Sequence, residues 1–388
     1  MNTKPKILFI SHDASRTGAP LVLLSLLKRI IQDSIFEFDV LLIEGGDLEQ
    51  EFNKLASVFI WNPQKKNSLL KRIFNKLIGD RSKYYHINKY QKSLHQKNYS
   101  LVYANTVISI NIATILKKHL QNIPFILHVH ELEYTIDSMI GHAFFASKLH
   151  IFNQIIAVSD VVKQNIVVNY NVDPKIIHIV SPFSNQYQMH QITNGRGIIN
   201  ELGLLPNTFV VGAAGFGQWR KGTDIFIHLA NKFFNTYTNS TCLFTWVGYV
   251  SEHDKKQIEY DLQKLLLTNK VRFVGEKSNP FDYYTLFDIF ISVSREDPFP
   301  LVCMENAALA KPIICFEGSG GMPGFVQDDA GFVVPYLDVD TMADKIHELY
   351  QNKTLRQKLG ENAKKKMLNN YSMEKSIESI IEIIKRNI

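Results

Sequence analysis

Residues 291–324 read ISVSREDPFPLVCMENAALAKPIICFEGSGGMPG, and this stretch decides the fold. It continues an apolar run, 286–293, that is rich in Phe and Ile and alternates little, which is typical of a strand buried on both faces of a parallel sheet. Pro298 disfavours helical backbone at Asp297, whereas Pro300 suits the first position of a helix. A buried strand that leads directly into a helix predicts an open α/β sheet.

The start of this predicted helix is a candidate anion site. Open α/β sheets bind ligands where a strand ends, and unpaired N–H groups and the helix dipole favour negative charge there. Asp297 stands at the mouth of the helix and Glu305 lies more than one turn inside it, so two carboxylates bracket the site. The alternative is an acidic helix cap followed by a solvated glutamate, because a structural helix start needs only a capping residue.

The segment SREDPFPLVCMENA, residues 294–307, resembles the acidic signature of the retaining glycosyltransferases of family four, the bacterial group 1 glycosyltransferases. The signature places seven residues between an acidic residue and a glutamate, which fits Asp297 and Glu305. Glu296 lies one residue too far from Glu305 to fit this spacing. An aspartate, Asp297, therefore stands where the family usually has glutamate. The resemblance implies that Asp297 holds the donor sugar and Glu305 the ribose. Further donor contacts are implied at Phe299, Pro300, Leu301 and Val302.

Composition sets broad bounds on the protein. The chain has 388 residues, 45% of them hydrophobic, which is enough for two domains with cores of their own. Cys242, Cys303 and Cys315 lie far apart in apolar runs, so we expect buried thiols in a reducing compartment. The sequence shows no signal-peptide pattern and no run of roughly 18 apolar residues that could span a bilayer. We therefore expect a cytoplasmic protein.

Two α/β halves follow one another, and each begins with a strand and a glycine-containing loop. The polar residues 181–197 contain Pro and Gly and indicate a linker. We predict an N-terminal acceptor-side Rossmann-like domain at 1–182, a linker at 183–205 and a C-terminal nucleotide-sugar domain at 206–371. The resemblance implies the GT-B fold, in which two Rossmann-like domains face each other across a cleft. It also implies that the terminal helix, 372–388, crosses back to the first domain.

The first half supplies the predicted acceptor side. Its opening string SHDASRTGAPLVLL resembles the loop that faces the donor diphosphate and the acceptor in many bacterial members of the family. Gly18 and Ala19 would let a phosphate approach the backbone at a helix start. His130, at the end of a predicted strand, matches the active-site histidine of the family. The remaining acceptor-side candidates are His12, Arg16, Asn105 and Glu131.

The second half supplies most of the predicted donor site. Its string GFGQWRKGTD, residues 215–224, fits neither the P-loop nor the dinucleotide-binding pattern. It resembles the RKG loop of the family, in which the lysine contacts the donor diphosphate. This implies a phosphate-binding role for Lys221, with Arg220 and Gly217 beside it. The alternative is a surface turn.

One cation that many relatives carry is missing. Six residues before the lysine, where those relatives have arginine, this chain has Gly215. Either Arg220 or Arg16 would have to supply the charge. Farther along the chain, the loop at Glu276 resembles the segment that faces the nucleotide base.

Two patterns could hold a metal ion. His128 and His130 alternate on one face of a predicted strand, but no further ligands cluster with them, and structural histidines are an alternative. Asp338 and Asp340 form an Asp-x-Asp pattern, but the helix predicted at 341–350 makes capping the better interpretation. We expect neither a metal nor another cofactor.

Residues 65–97 are strongly basic. They hold ten lysines or arginines and a single acid, Asp80, whereas the formal net charge of the whole chain is +6. Apolar residues recur there at helical spacing, which predicts a basic amphipathic helix that suits an anionic membrane surface. The alternative is a helix packed on its own domain with a solvated basic face. Nucleic acid is not an expected partner, because neither half contains a recognition module.

The resemblance implies a retaining, metal-independent glycosyltransferase with a nucleotide-diphosphate-sugar donor. Its acceptor would be a saccharide or a lipid-linked saccharide in bacterial cell-surface polysaccharide synthesis, at the inner face of the cytoplasmic membrane. Two alternatives remain, a nucleotide-sugar epimerase of the same fold and a non-catalytic nucleotide-sugar-binding subunit. The aspartate at 297 and the missing arginine favour the second of these. The expected catalytic residues are His130, Lys221, Asp297 and Glu305.

Overall fold

The structure is a computed structural model, and it describes residues 4–62, 94, 97–183 and 196–388. The chain divides into two units. Unit 1 comprises Met1–Ser181 and Glu374–Ile388, and unit 2 comprises Pro182–Met373. Each unit is built on one parallel β-sheet with helices between successive strands. The α/β class predicted from the sequence is therefore confirmed.

The sheet of unit 1 has, within the described ranges, the strands β1 (Lys6–Ser11), β2 (Glu37–Glu44), β3 (Ser57–Asn62), β4 (Leu101–Asn105), β5 (Phe125–Val129), β6 (Gln154–Ala157) and β7 (Ile177–Ile179). They are parallel and lie in the order β3-β2-β1-β4-β5-β6-β7. The order changes direction between β1 and β4, and open sheets bind ligands beyond the carboxyl ends of the strands at such a point.

In the described part of unit 1, the helices before the last strand are α1 (Gly18–Asp33), α2 (Glu49–Asn53), α3 (Ile110–Lys117), α4 (Glu133–Ile140), α5 (His142–Lys148) and α6 (Asp160–Tyr170). Short 3₁₀ turns are formed by Val107–Ser109, Leu149–Ile151 and Pro174–Ile176. The longest of these helices, α1, follows β1 and buries Leu23, Leu27 and Ile30. Its first residue, Gly18, is one of the predicted donor-binding residues.

The sheet of unit 2 consists of β8 (Phe209–Ala214), β9 (Cys242–Val247), β10 (Val271–Phe273), β11 (Ile289–Ser292), β12 (Ile313–Phe316) and β13 (Gly331–Val334). These strands are parallel and lie in the order β10-β9-β8-β11-β12-β13. Counted within the unit this is the order 3-2-1-4-5-6 of dinucleotide-binding folds. The change of direction falls between β8 and β11, the two strands that precede the RKG loop and the acidic motif.

The helices that the structure describes in unit 2 are α7 (Arg196–Leu202), α8 (Thr223–Thr236), α9 (Glu252–Lys264), α10 (Phe281–Tyr284), α11 (Leu301–Ala308), α12 (Met322–Val326), α13 (Val339–Gln351) and α14 (Lys353–Asn370). The last helix of the chain, α15 (Met373–Lys385), belongs from Glu374 onward to unit 1. Its buried face is formed by Ile377, Ile380, Ile381, Ile383 and Ile384. This amphipathic pattern explains why α15 packs on a core although it ends the sequence.

The structure differs from the sequence-based boundaries in several places, two of which bear on the site and the linker. Helix α7 lies inside the predicted linker, 183–205, because Leu202 is apolar and is buried in unit 2. Helix α11 begins at Leu301, one residue later than predicted, and Pro300 is its cap with an extended backbone. The predicted Asp-x-Asp pattern is a helix cap, as expected, since Asp338 accepts a hydrogen bond of 2.9 Å from the N–H of Thr341.

The predicted basic helix at 65–97 lies outside the described residues, apart from Leu94 and Lys97. Its contact with an anionic membrane surface therefore stays a prediction. In the part of the chain that the structure describes, no helix combines the length and the apolar character needed to cross a membrane.

Candidate active site

The candidate donor site of unit 2 is formed by two loops at the carboxyl ends of β8 and β11. The first loop contains the 3₁₀ turn Trp219–Lys221, and the second leads from Val293 into α11. The loops touch along their backbones, because the N–H of Arg295 donates to the carbonyl of Arg220 at 2.8 Å. Gly222 has a φ of +78°, and a Cβ there would lie 2.1 Å from the carbonyl oxygen of Val293. Glycine is therefore required at this crossing.

Lys221 and Asp297 meet in this site. The ammonium group of Lys221 forms an ion pair with Oδ2 of Asp297, and the two side chains are only 14% and 9% exposed. The hydroxyl of Ser294 approaches the same oxygen at 3.4 Å. Oδ1 of Asp297 makes no hydrogen bond to any described residue. The structure thus brings together two predicted site residues from distant parts of the sequence and leaves one carboxylate oxygen able to accept a hydrogen bond.

The loop after β12 fixes the backbone of Asp297. The N–H of Asp297 donates to the carbonyl of Ser319 at 2.6 Å, and the N–H of Gly321 donates to the carbonyl of Asp297 at 3.3 Å. Between them, Gly320 has a φ of +138°, and a Cβ on it would lie 1.7 Å from the carbonyl oxygen of Asp297. The aspartate is therefore held on both sides by backbone contacts, and only glycine can occupy position 320 without a displacement.

Helix α11 begins beside this ion pair. The N–H groups of Leu301 and Val302 belong to its first turn, where no earlier helical carbonyl can accept from them. Lys221, Asp297, Pro300 and Val302 all line one small cavity of about 10 Å³, enough for roughly one water molecule. A cation, a carboxylate and the amide end of a helix therefore converge within one unit.

Glu305 lies on the second turn of α11 and is partly exposed. Tyr284 is buried near it. Burial, and then the negative charge of Glu305, raise the pKa of Tyr284 well above its ordinary value. Glu305 thus lies near a buried tyrosine, at the position that the resemblance gives to the ribose contact.

Three other donor-site candidates have defined surroundings. Phe299 is buried and stacks on Tyr371 with ring centroids 5.4 Å apart, so its side chain serves packing and only its backbone could face a donor. Gly217 pairs with Val250 in an isolated bridge that extends the sheet. Glu276 follows β10 and is exposed.

Arg220 and Arg16, the two residues expected to substitute for the missing arginine, both have hydrogen-bond partners. Arg220 donates from Nη1 to the carbonyl of Glu296 at 2.6 Å. Arg16 lies in unit 1, where its guanidinium donates to Glu51 at 2.8 Å. Gly215, at the arginine position of the relatives, has a φ of +141°, and a Cβ there would lie 3.6 Å from Cε of Lys221. A side chain at 215 would thus require strained backbone and would contact the lysine.

Sequence reasoning missed a second ion pair in this site. Arg295 makes two hydrogen bonds with the carboxylate of Asp224, at 2.9 and 2.6 Å. Burial acts to raise the pKa of Asp224, but the hydrogen bonds and charge of Arg295 outweigh it and lower that pKa. The two residues lie 71 positions apart, and no spacing rule connects them. In the sequence, the one feature that pointed to Arg295 and Asp224 is that each lies beside a recognised motif.

In unit 1, four predicted residues gather at the ends of β1, β4 and β5. The amide nitrogen of Asn105 donates to the carbonyl of Ala19 at 3.1 Å, and its oxygen lies 2.9 Å from Nε2 of His130. Since the amide oxygen can only accept, neutral His130 carries its proton on Nε2 and leaves Nδ1 unprotonated. His12 lies nearby, with Nδ1 3.3 Å from the hydroxyl of Thr106.

Burial keeps this histidine group neutral. It is the main cause that holds the pKa of His130 well below its usual range, with smaller contributions from His128 and His12. Burial also lowers the pKa of His128 to about 3. Nδ1 of His128 lies 2.7 Å from the hydroxyl of Tyr103, so this histidine is a packed structural residue, one of the alternatives that its position allowed.

Glu131 has a structural role in unit 1. Its carboxylate accepts from the N–H of His130 at 2.8 Å and from the N–H of Val107 at 3.3 Å. It thereby joins the end of β5 to the turn after β4. Among the residues that the structure describes, no group of three or more His, Cys, Asp and Glu side chains is arranged to hold a metal ion.

Comparison with curated proteins finds polysaccharide glycosyltransferases. The chain is 26% identical to the capsular polysaccharide biosynthesis glycosyltransferase CapM of Staphylococcus aureus over 57% of this chain and 58% of CapM. It is 23% identical to the lipopolysaccharide core biosynthesis mannosyltransferase LpcC of Rhizobium leguminosarum bv. viciae over 45% of this chain and 50% of LpcC. The chain thus spans about half the length of the curated relatives it matches.

Solved structures match nearly the whole chain. HepE of Anabaena in complex with UDP and glucose has a TM-score of 0.80 at 18% identity, covering 98% of this chain and 100% of HepE. WaaG, a glycosyltransferase involved in lipopolysaccharide biosynthesis, has a TM-score of 0.72 at 14% identity, covering 96% of this chain and 99% of WaaG. At these identities the likeness shows the fold, which is GT-B.

Two family models match successive parts of the chain. The model described as Glycosyltransferase Family 4 matches residues 49–185, almost all of which lie in unit 1. The model described as Glycosyl transferases group 1 matches residues 198–366, which contain the RKG loop, the acidic motif and α11. With both units matched and the GT-B fold in place, the protein belongs to the group 1 glycosyltransferases of family four.

Proposed function

We propose that the protein is a retaining glycosyltransferase that moves a sugar from a nucleotide-diphosphate-sugar donor to a saccharide or lipid-linked saccharide acceptor. The observation that carries this proposal is the meeting of Lys221, Asp297 and the first turn of α11 at the switch point of the unit 2 sheet. Family membership and the capsule and lipopolysaccharide relatives support a role in bacterial cell-surface polysaccharide synthesis.

The electrostatic problem of the reaction is the charge on the departing diphosphate. In the proposed step the bond from the anomeric carbon to the diphosphate oxygen breaks and the acceptor oxygen bonds to the same face. The acceptor proton passes to the leaving phosphate. Lys221 and the amides of Leu301 and Val302 stabilise the developing negative charge, since fixed donors cost no reorganisation during the reaction. We propose that these groups serve in place of a divalent cation.

The remaining groups position the donor and the acceptor. Oδ1 of Asp297 accepts from a hydroxyl of the donor sugar, and Glu305 accepts from the ribose hydroxyls. Backbone groups near Glu276 face the base. In unit 1, Nδ1 of His130 accepts a hydrogen bond from a sugar hydroxyl, because Asn105 keeps the proton on Nε2. Gly18 and Ala19, at the start of α1 in unit 1, are further donor contacts that the resemblance implies.

For the proposed retaining reaction, the state of Asp297 supports a front-face route over a double displacement. A double displacement uses two carboxyl groups, one of them a free nucleophile. The carboxylate of Asp297 is instead ion-paired with Lys221, which weakens it as a nucleophile. A front-face reaction, in which the leaving phosphate takes the acceptor proton, needs fewer groups.

The experiment is a donor screen. The purified protein is mixed with UDP-, GDP- and ADP-sugars, with and without saccharide or lipid-linked acceptors, and released nucleoside diphosphate is measured. We expect one base to be preferred, release to be stimulated by an acceptor, and an α-linked product from an α-linked donor. Activity should persist in a chelator. Loss in chelator with recovery on adding back a divalent cation would contradict metal independence.

The same screen tests the two alternatives. An epimerase would convert a donor into its isomer without any acceptor. A non-catalytic subunit would bind nucleotide and release no diphosphate with any acceptor. Membrane contact through 65–97 is a separate proposal, and sedimentation with vesicles that contain or lack anionic lipid tests it.

A further inference from the structure

We infer that Arg295 is a positioning residue that aims Lys221 at the donor diphosphate. This inference rests on the proposed function, because it takes the diphosphate as the ligand of Lys221. Arg295 belongs to the loop after β11, and Lys221 belongs to the loop after β8. Neither the family patterns nor the spacing of the motifs assigned a role to Arg295.

The guanidinium of Arg295 fastens the RKG loop at two points. It binds both carboxylate oxygens of Asp224, in the first turn of α8, with distances of 2.9 and 2.6 Å. It also donates from Nη1 to the carbonyl of Trp219 at 2.6 Å, and its Cζ lies 4.6 Å from the centroid of the Trp219 ring. A bidentate arginine–carboxylate pair fixes orientation as well as distance. Arg295 therefore holds the residues on both sides of Lys221.

Backbone contacts complete the attachment. The N–H of Arg295 donates to the carbonyl of Arg220, while the guanidinium of Arg220 donates back to the carbonyl of Glu296. Tyr336 donates from its hydroxyl to the carbonyl of Arg295 at 3.3 Å. These bonds tie the segment that carries Lys221 to the segment that carries Asp297.

Arg295 acts through Lys221 because its own guanidinium is occupied. Its side chain is 15% exposed, and its donors face Asp224 and the carbonyl of Trp219. The lysine is different, since a flexible four-carbon chain carries its charge and needs a fixed backbone to keep one direction. We therefore expect removal of Arg295 to weaken diphosphate binding only when Lys221 is present.

A double-mutant cycle tests this coupling. Dissociation constants of the wild-type protein for UDP, GDP and ADP are first measured by titration calorimetry. The nucleotide that binds most tightly is then titrated into Arg295→Ala, Lys221→Ala and the double variant. We expect Arg295→Ala to weaken binding about tenfold, equivalent to about 1.4 kcal/mol. In the Lys221→Ala background the same change should alter binding less than about twofold, since coupled residues are not additive. Asp224→Asn, which nearly conserves the shape of the partner, should behave like Arg295→Ala.

The outcomes separate the inference from the proposed function. If Arg295→Ala weakens nucleotide binding equally in the wild-type and the Lys221→Ala backgrounds, its effect is a general structural one. That result would overturn the inference. Unchanged binding in Arg295→Ala and Asp224→Asn, with a loss in Lys221→Ala, would overturn the inference alone. Unchanged binding in Lys221→Ala would overturn the proposed role of the lysine and the inference with it. Lys232→Ala is the matched control, because its ion pair with Asp340 in the same unit is exposed.

Discussion

Lys221 and Asp297 form a largely buried ion pair between the loops that follow β8 and β11. The pair lies where the strand order of the unit 2 sheet changes direction, beside the first turn of α11. A nucleotide sugar bound there would share the lysine between its diphosphate and Asp297. The free oxygen of Asp297 would remain for a sugar hydroxyl.

The first prediction concerns the stability of this pair. Lys221→Ala leaves a carboxylate of low exposure without its cation, and we expect a loss of about 3 kcal/mol in the free energy of unfolding. Removing Asp297 as well should recover part of that loss, because the double variant buries no unpaired charge. Urea unfolding of the two single variants and the double variant measures this coupling. Strictly additive losses would show that the two charges do not interact.

The second prediction compares two glycines in the loop after β12. Gly320→Ala places a Cβ 1.7 Å from the carbonyl oxygen of Asp297, so the backbone of the aspartate must move. Gly318→Ala is the control, because Gly318 also has a positive φ, of +67°, but no atom lies within 4 Å of the added Cβ. We expect both variants to lose stability through backbone strain and only Gly320→Ala to lose donor binding about tenfold or more. Equal binding by the two variants would contradict the account of how Asp297 is held.

The third prediction is a pH dependence of stability from His128 and His130 in unit 1. Burial lowers the pKa of His128 from 6.5 to about 3 and holds that of His130 far below 6.5 as well. Below about pH 6.5 the unfolded chain therefore binds more protons than the folded one. Stability should be complete above that pH and should fall as the pH decreases, by up to about 1.4 kcal/mol per pH unit for each histidine.

His128→Asn tests this dependence in unit 1. We expect a shallower fall in the midpoint of urea unfolding between about pH 6.5 and 4.5, because one buried histidine no longer has to remain neutral. His253→Asn is the control, since His253 is exposed on α9. An unchanged slope in His128→Asn would mean that other groups cause the acid sensitivity.

Much of the fold followed from the apolar patterns of the sequence. The apolar run 286–293 was expected to form a buried strand, and β11 (Ile289–Ser292) lies inside it, because central strands of a parallel sheet are apolar on both faces. Among the described strands, β3, β7, β10 and β13 lie at the ends of the two sheets. In the described sheets these strands pair with a neighbour on one side, and β7 has only three residues, so their apolar patterns are weaker than those of central strands.

Only part of the candidate site could be predicted from the sequence. Lys221 and Asp297 each lie in a motif, and the fold brings them together. The contact of Arg295 with Asp224 and the approach of Gly320 to Asp297 join different crossover units of the sheet, so only the folded chain shows them. The burial of Phe299 against Tyr371 likewise depends on a helix that ends about 70 residues later.

The most direct measurement is the turnover number of Lys221→Ala with the preferred nucleotide sugar and an acceptor, beside Lys232→Ala as the control. We predict at least a tenfold lower turnover number for Lys221→Ala, equivalent to about 1.4 kcal/mol or more of transition-state stabilisation, and near wild-type turnover for the control. Wild-type turnover in a folded Lys221→Ala protein would contradict the central claim that this lysine stabilises the leaving diphosphate.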